Sequence, residues 1–125
     1  MISAKFNYRV DEAFNANTYI KFLEQVARRY NGKHVFYIQD NASYHRDGEV
    51  WQWFRDHRHS IEVFNLPPYS PELNAAECLW KYTRKEGTHN RFFNSRDELH
   101  DSLMGVFNRI QRNPDCIRGY LNPFL

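Results

Sequence analysis

Two carboxylates in two short runs could do chemistry in this chain. Tyr37-Ile38-Gln39-Asp40-Asn41-Ala42-Ser43-Tyr44-His45 is an apolar stretch that runs into Asp40 and a polar cluster. Leu66-Pro67-Pro68-Tyr69-Ser70-Pro71-Glu72-Leu73-Asn74-Ala75-Ala76-Glu77 places Glu77 just past a loop stiffened by three prolines. A strand-end carboxylate and a helix carboxylate can hold one divalent cation between them, the arrangement used to move phosphodiester bonds.

Each acid also has a plainer reading. Asp-Asn is a common turn pair, so Asp40 can serve as a turn residue. Against that, Asn41, Ser43 and His45 gather polar groups after a strand too apolar to need them, and ligands of open α/β sheets bind beyond the carboxyl ends of strands. Glu77 can pair with Lys81 one helical turn on. Its neighbours Ala75, Ala76, Cys78, Leu79 and Trp80 are not those of a solvated face, and a carboxylate in such company is paired or binds metal. His45 is either an orienter of a metal carboxylate or general acid/base, or a solvent-facing histidine at a helix start. His57, His59, His89 and His100 show no ligand spacing. Asn74 stands beside Glu77 at the end of the loop, whose rigidity suits a helix that must be held in place.

Lys81, Arg84, Lys85, His89 and Arg91 cluster beyond Glu77, with Glu86 the single acid among them. They form either a solvated helix face or an edge that contacts phosphates. Phe92 and Phe93 are assigned to the core in preference to stacking on bases. Trp51, Trp53 and Trp80 occupy helical positions suited to core.

The elements that position these residues follow from periodicity. Lys5 to Val10 reads as a strand. Tyr19, Phe22, Leu23, Val26 and Tyr30 mark one face of a helix that starts near Asn15 and stops at Asn31-Gly32. His34 to Asp40 lacks alternation and predicts a strand buried on both faces. A helix over 46–57 and a strand over 61–66 follow, and Pro67-Pro68 forbids further ladder. Ser70 with Pro71 predicts a helix start, running to about Lys85 and stopping at Gly87. Ser95-Arg96-Asp97-Glu98 is a capping box for a last helix with the stripe Leu99, Leu103, Val106, Phe107 and Ile110. The order β-α-β-α-β-α-α predicts an α/β layered domain.

The bulk numbers bound this reading. A chain of 125 residues, 42% hydrophobic, is a single domain with a real core. Aromatics are abundant at 17%, and a net charge of +2 requires that nucleic-acid binding come from a local patch. Cys78 and Cys116 form no CxxC pair, and no signal-like or membrane-length apolar run occurs, so a soluble intracellular protein is expected.

With these motifs in place, the chain resembles the DDE transposases of the mariner-like superfamily, in their bacterial insertion-sequence branch. The resemblance rests on the strand-Asp-Asn-Ala-x-x-His segment from Asp40 to His45 and the Leu-Pro-Pro-Tyr-Ser-Pro-Glu-Leu-Asn-x-x-Glu-x-x-Trp segment from Leu66 to Trp80. Glu77 follows Asp40 by 37 positions, similar to that family's second-to-third acid interval. Phe14-Asn15-Ala16 and Phe22-Leu23 extend the likeness over nearly the whole chain.

The resemblance implies a ribonuclease-H-like fold in which three acids hold two Mg²⁺ or Mn²⁺ ions about 3.5–4 Å apart. Asp40 would be the second acid and Glu77 the third, with Asn41, His45 and Asn74 in support. Lys81, Arg84, Lys85 and Arg91 would contact DNA at transposon ends. It also implies a cytoplasmic, nucleoid-associated protein. The family's first acid lies on a central strand upstream of the residues seen here, and neither Asp11 nor Glu12 takes its place. A partial, N-terminally truncated catalytic domain over residues 1–125 is therefore expected, weak in metal binding and inactive by itself. Its open sheet edge would be filled by a second copy in a homodimer or by a companion polypeptide carrying the N-terminal half. The alternatives are a DNA-binding or oligomerisation module without catalysis, and an unrelated two-carboxylate hydrolase such as a glycosidase.

Overall fold

The structure, a computed structural model, describes residues 5–40 and 47–121. They fall into two compact units. One spans Tyr8–Asn74, and the other joins Ala75–Leu125 to the first residues, Met1–Asn7.

The first unit holds helix α1 (Ala16–Arg29), strand β1 (Val35–Gln39), helix α2 (Gly48–Asp56) and strand β2 (Ile61–Asn65). Asn15 starts α1 with a reciprocal cap. Its side-chain oxygen accepts the Thr18 N–H at 3.0 Å, and the Thr18 hydroxyl accepts the Asn15 N–H at 3.1 Å. Arg28 and Arg29 close the helix where its dipole favours cations, and Gly32, at φ +81°, turns the chain into β1. Asp47 caps α2 by accepting the Glu49 N–H at 2.8 Å.

The strands pair in parallel, from Val35 beside Ile61 to Gln39 beside Asn65, with α2 as the crossover. Tyr19 and Leu23 of α1, Val50, Trp53 and Phe54 of α2, and Ile61 of β2 form the core. Val35, Tyr37 and Val63 pack against it from the sheet. Both helices thus cover one face of the sheet.

Two expectations fail here. Lys5 to Val10 forms no strand, because the described residues offer it no ladder; Phe6 is instead buried with its ring 5.8 Å from that of Phe107. β1 is not buried on both faces. Its residues alternate, with Val35, Tyr37 and Gln39 turned inward while Phe36 and Ile38 remain 67% and 65% exposed. Phe64 of β2 joins them on that face, 6.3 Å from Phe36 between ring centres. An apolar run without alternation cannot tell a strand with two covered faces from one with a bare apolar face.

The second unit is helical. Helix α3 (Ala75–Thr83) passes into a π-helical turn, Arg84–Thr88, and helix α4 (Arg96–Arg112) is followed by a 3₁₀ turn, Pro114–Ile117. Ser95 caps α4 through the Glu98 N–H at 3.1 Å, while the Glu98 carboxylate accepts from Asn94 N–H at 2.7 Å. Val106, Phe107, Ile110 and Ile117 are buried. The π turn lies flat against α4: Ser102 donates to the Gly87 carbonyl at 2.7 Å, and a Cβ on Gly87 would meet Val106 Cγ2 at 3.0 Å. Only a glycine backbone comes this close without displacing its neighbour.

Candidate active site

Asp40 is exposed and directly follows the last laddered residue of β1. The residue before it is held from three sides. The Gln39 carbonyl accepts the Leu66 N–H at 2.7 Å, extending the parallel ladder one residue past β2. The Gln39 side chain is buried, with Nε2 donating to Asn65 Oδ1 at 2.8 Å and Oε1 accepting from the Tyr19 hydroxyl of α1. The Tyr37 hydroxyl lies 3.2 Å from that of Tyr19. Asn41 and His45 lie outside the described residues.

The proline loop after β2 is mostly exposed and turns on itself. Leu73 N–H donates to Ser70 O at 3.1 Å, and Asn74 N–H to Pro71 O at 3.0 Å. Tyr69 sits at φ +56°, a left-handed conformation that costs a tyrosine roughly 1–2 kcal/mol, and its ring is exposed. The helix expected from Ser70 does not form there. A 3₁₀ turn, Pro71–Leu73, ends at Asn74 in extended geometry (φ −101°, ψ 107°), and α3 starts one residue later. Ser70 makes no cap bond and instead donates to Pro68 O at 3.3 Å.

This break places Glu77 in the first turn of α3, where the helix dipole stabilises a negative charge. Glu77 is half-buried, and among the described residues it makes no ion pair with Lys81. Asp40 belongs to the first unit and Glu77 to the second.

A family comparison decides the class. The model of the DDE superfamily endonuclease family matches residues 3–100. The chain belongs to that family. Among its relatives, the transposase of the transposable element Tcb2 from Caenorhabditis briggsae is 28% identical over 106 residues, covering 82% of this chain and 38% of the relative. An uncharacterized protein, y4pE/y4sA, of Sinorhizobium fredii is 29% identical over 84 residues, covering 67% of this chain and 58% of that protein. The chain therefore spans less than two thirds of either relative's length.

Within this DDE family member, the expected DNA-contacting cations all lie in the helical unit. Lys81, Arg84 and Lys85 are exposed along the end of α3 and the π turn. Arg91 is also exposed but works within the fold, since its Nη1 donates to Ser102 Oγ at 3.1 Å and its guanidinium lies 5.5 Å from the centre of the Phe93 ring. Phe92 departs from expectation. At 88% exposure it is no core residue, because it lies in the irregular segment before α4 where nothing packs on it. Trp80 is likewise exposed, although it lies one helical turn before buried Thr83, while Trp53 is in the core as expected.

The donor chemistry of Asp40 and Glu77 suits Mg²⁺ or Mn²⁺. These are hard cations that take oxygen ligands, and one or two carboxylates plus substrate phosphates and water ordinarily suffice for Mg²⁺. Among the described residues no group of three or more His, Cys, Asp or Glu is placed to hold a metal. A cleft of about 730 Å³ opens at the other end of the strands, beside Val35 and Ile61, and its lining includes Arg28, Lys33, His34, His57 and His59 but no carboxylate. It is not a site for a hard cation. No described helix is long and apolar enough to cross a membrane.

The hydrogen-bond partners of Gln39 are distant from it in sequence. A signal existed: Gln39 shares the inward parity of Val35 and Tyr37, so a lone amide stood where the pattern called for another apolar side chain.

Proposed function

We propose that this chain is part of a transposase catalytic domain of ribonuclease-H-like fold, which cuts and joins DNA at the ends of a mobile element. Asp40 and Glu77 are two of its metal-binding acids. The observation that carries this reading is an exposed carboxylate at the carboxyl end of a parallel strand, in a chain matched over residues 3–100 by the DDE superfamily endonuclease family. The Tcb2 relative is a transposase by name, which favours DNA as the substrate.

In this reading Asp40 and Glu77 would hold the metal, which when bound polarises the scissile phosphate and activates the attacking oxygen. Asp40 contributes a charge fixed by the strand end, so little reorganisation is needed when the cation arrives. Glu77 contributes a second charge from a helix start. Lys81, Arg84 and Lys85 sit one to two turns further on, where cations position a phosphate backbone without reading its sequence. Asn74 supports the start of α3, and Asn41 and His45 keep the supporting roles that the resemblance implies. A third carboxylate would come from a companion segment, whereas a second copy in a homodimer would cover the open sheet edge.

The test is DNA nicking with Mg²⁺ or Mn²⁺. The chain alone will not nick, and the chain supplied with the upstream segment will. In that assembly Asp40→Asn and Glu77→Gln should each lower the rate by on the order of a thousandfold, the several kcal/mol expected when a metal's charge stabilisation is lost. Robust metal-dependent nicking by the isolated chain would refute the requirement for another acid, and undiminished nicking by either variant would refute the site.

One observation favours a second reading, a DNA-binding or assembly module without chemistry of its own. The outer face of the sheet presents Phe36, Ile38 and Phe64 to solvent, as a surface made for a partner does. Salt-sensitive DNA binding unchanged by Asp40→Ala, with no nicking in any assembly, would select it.

A further inference from the structure

We propose that Gln39, locked by Tyr19 and Asn65, is a positioning residue that fixes the direction of the Asp40 carboxylate for metal binding. The proposal rests on the reading of Asp40 as a metal ligand and adds residues to it.

Three observations converge on the proposal. Gln39 is a buried polar side chain, 5% exposed, inside a strand whose other inward residues are apolar or aromatic. Burying an amide is unfavourable unless its hydrogen bonds are made. Here both ends of the amide are used: Oε1 accepts from Tyr19 on α1, and Nε2 donates to Asn65 at the end of β2. Its main-chain carbonyl takes the Leu66 N–H as well. The residue therefore ties α1, β1 and β2 together at one point, immediately before the exposed carboxylate.

Stability alone does not call for such a device. Apolar residues at positions 39, 19 and 65 together would fill the same space beside Leu23 and Phe54 with no side-chain hydrogen bonds to satisfy. What an amide adds is direction. Hydrogen bonds of fixed length on three sides leave the peptide between Gln39 and Asp40 little freedom to rotate, whereas apolar contacts tolerate sliding. Groups that orient a metal ligand from behind typically contribute 10–100-fold in metal affinity.

The experiment uses the ¹⁵N-labelled chain and Mn²⁺. Broadening of the Asp40 amide signal reports metal affinity, and its relaxation order parameter reports rigidity without metal. Tyr19→Phe removes one hydroxyl and keeps the buried ring, and Gln39→Leu removes both side-chain bonds of the clamp. Val26→Ala destabilises the same unit at a buried α1 position away from the clamp, and serves as the control. In the unmodified chain the order parameter at Asp40 should be near the rigid value of about 0.85, falling toward about 0.6 in both clamp variants. The same two should bind Mn²⁺ at least about tenfold more weakly while remaining folded, and Val26→Ala should match the unmodified chain in both respects.

Equal order parameters at Asp40 in all four proteins would overturn the clamp, whatever the metal does. Equal weakening in Val26→Ala would reduce Gln39 to ordinary stability. An ordered Asp40 that no Mn²⁺ broadens in the unmodified chain would instead defeat the metal reading, and with it the purpose assigned to Gln39.

Discussion

Gln39 and Thr83 are the two buried polar side chains among the described residues, at 5% and 3% exposure, and the protein treats them in opposite ways. Gln39, in the strand unit, has every polar end of its amide engaged. Thr83, where α3 meets the π turn, has a hydroxyl with no hydrogen-bond partner. An unmade buried hydrogen bond costs roughly 1–3 kcal/mol. The strand unit also leaves the buried Trp53 indole N–H without a hydrogen-bond partner among the described residues, so its fully engaged side chain is the one next to the strand end that carries Asp40. The helical unit holds itself by close approach, with Gly87 pressed on α4 near Val106, and gains nothing from its buried hydroxyl. The two acids stand on scaffolds of different character. Asp40 is aimed by directional bonds immediately behind it, while Glu77 depends on a helix whose one buried residue lies at the far end from it.

Apolar replacements should therefore shift stability in opposite directions. The largest effect is expected from Gln39→Leu, which leaves the Tyr19 hydroxyl without its amide acceptor and Asn65 without its donor. Chemical denaturation should show a loss of about 1–3 kcal/mol. Thr83→Val keeps the shape and removes the unpartnered hydroxyl, so it should raise stability by about 1 kcal/mol in the same experiment. A loss in Thr83→Val would mean that this hydroxyl has a partner after all, and would remove the contrast.

The smallest effect concerns the helical unit at high pH. Hydrogen bonding to the Cys116 side chain, then burial, pushes the Tyr82 hydroxyl from 10.0 up to about 12. A tyrosine whose folded value lies above its unfolded one keeps its proton longer when folded. Its contribution is whole below pH 10 and disappears as the pH rises through 12. Unfolding followed across that window should show stability falling in the unmodified chain, with a shallower fall in Tyr82→Phe.

The elements that were legible in the sequence are those whose ends are written locally. Asn15, and Ser95 with Glu98, mark helix starts that the structure keeps, and the strand ending before Asp40 and the strand before Pro67 are where the apolar runs place them. What failed depended on partners distant in sequence. Lys5 to Val10 has strand composition but no neighbour to pair with, and the bare face of β1 depends on what covers the sheet. The late start of α3 turns on Asn74, whose extended backbone overrides a Ser-Pro start signal of the ordinary kind. For the site, residue types and spacing pointed to Asp40 and Glu77, but not to Gln39. Tyr19 and Asn65 lie 20 and 26 positions from Gln39, so the inward parity of the amide is written locally but its partners are not.

In the proposed function, Asp40 and Glu77 are ligands of one cation. Cleavage by hydroxyl radicals generated at bound Fe²⁺ tests it most directly, because the radicals cut backbone only close to the ion. At saturating Fe²⁺ with ascorbate and peroxide, the chain should be cut at two places, around Asp40 and around Glu77, and Asp40→Asn should abolish both sets of cuts together. Cuts confined to one of the two places, or cuts near Glu77 that persist in Asp40→Asn, would contradict the claim.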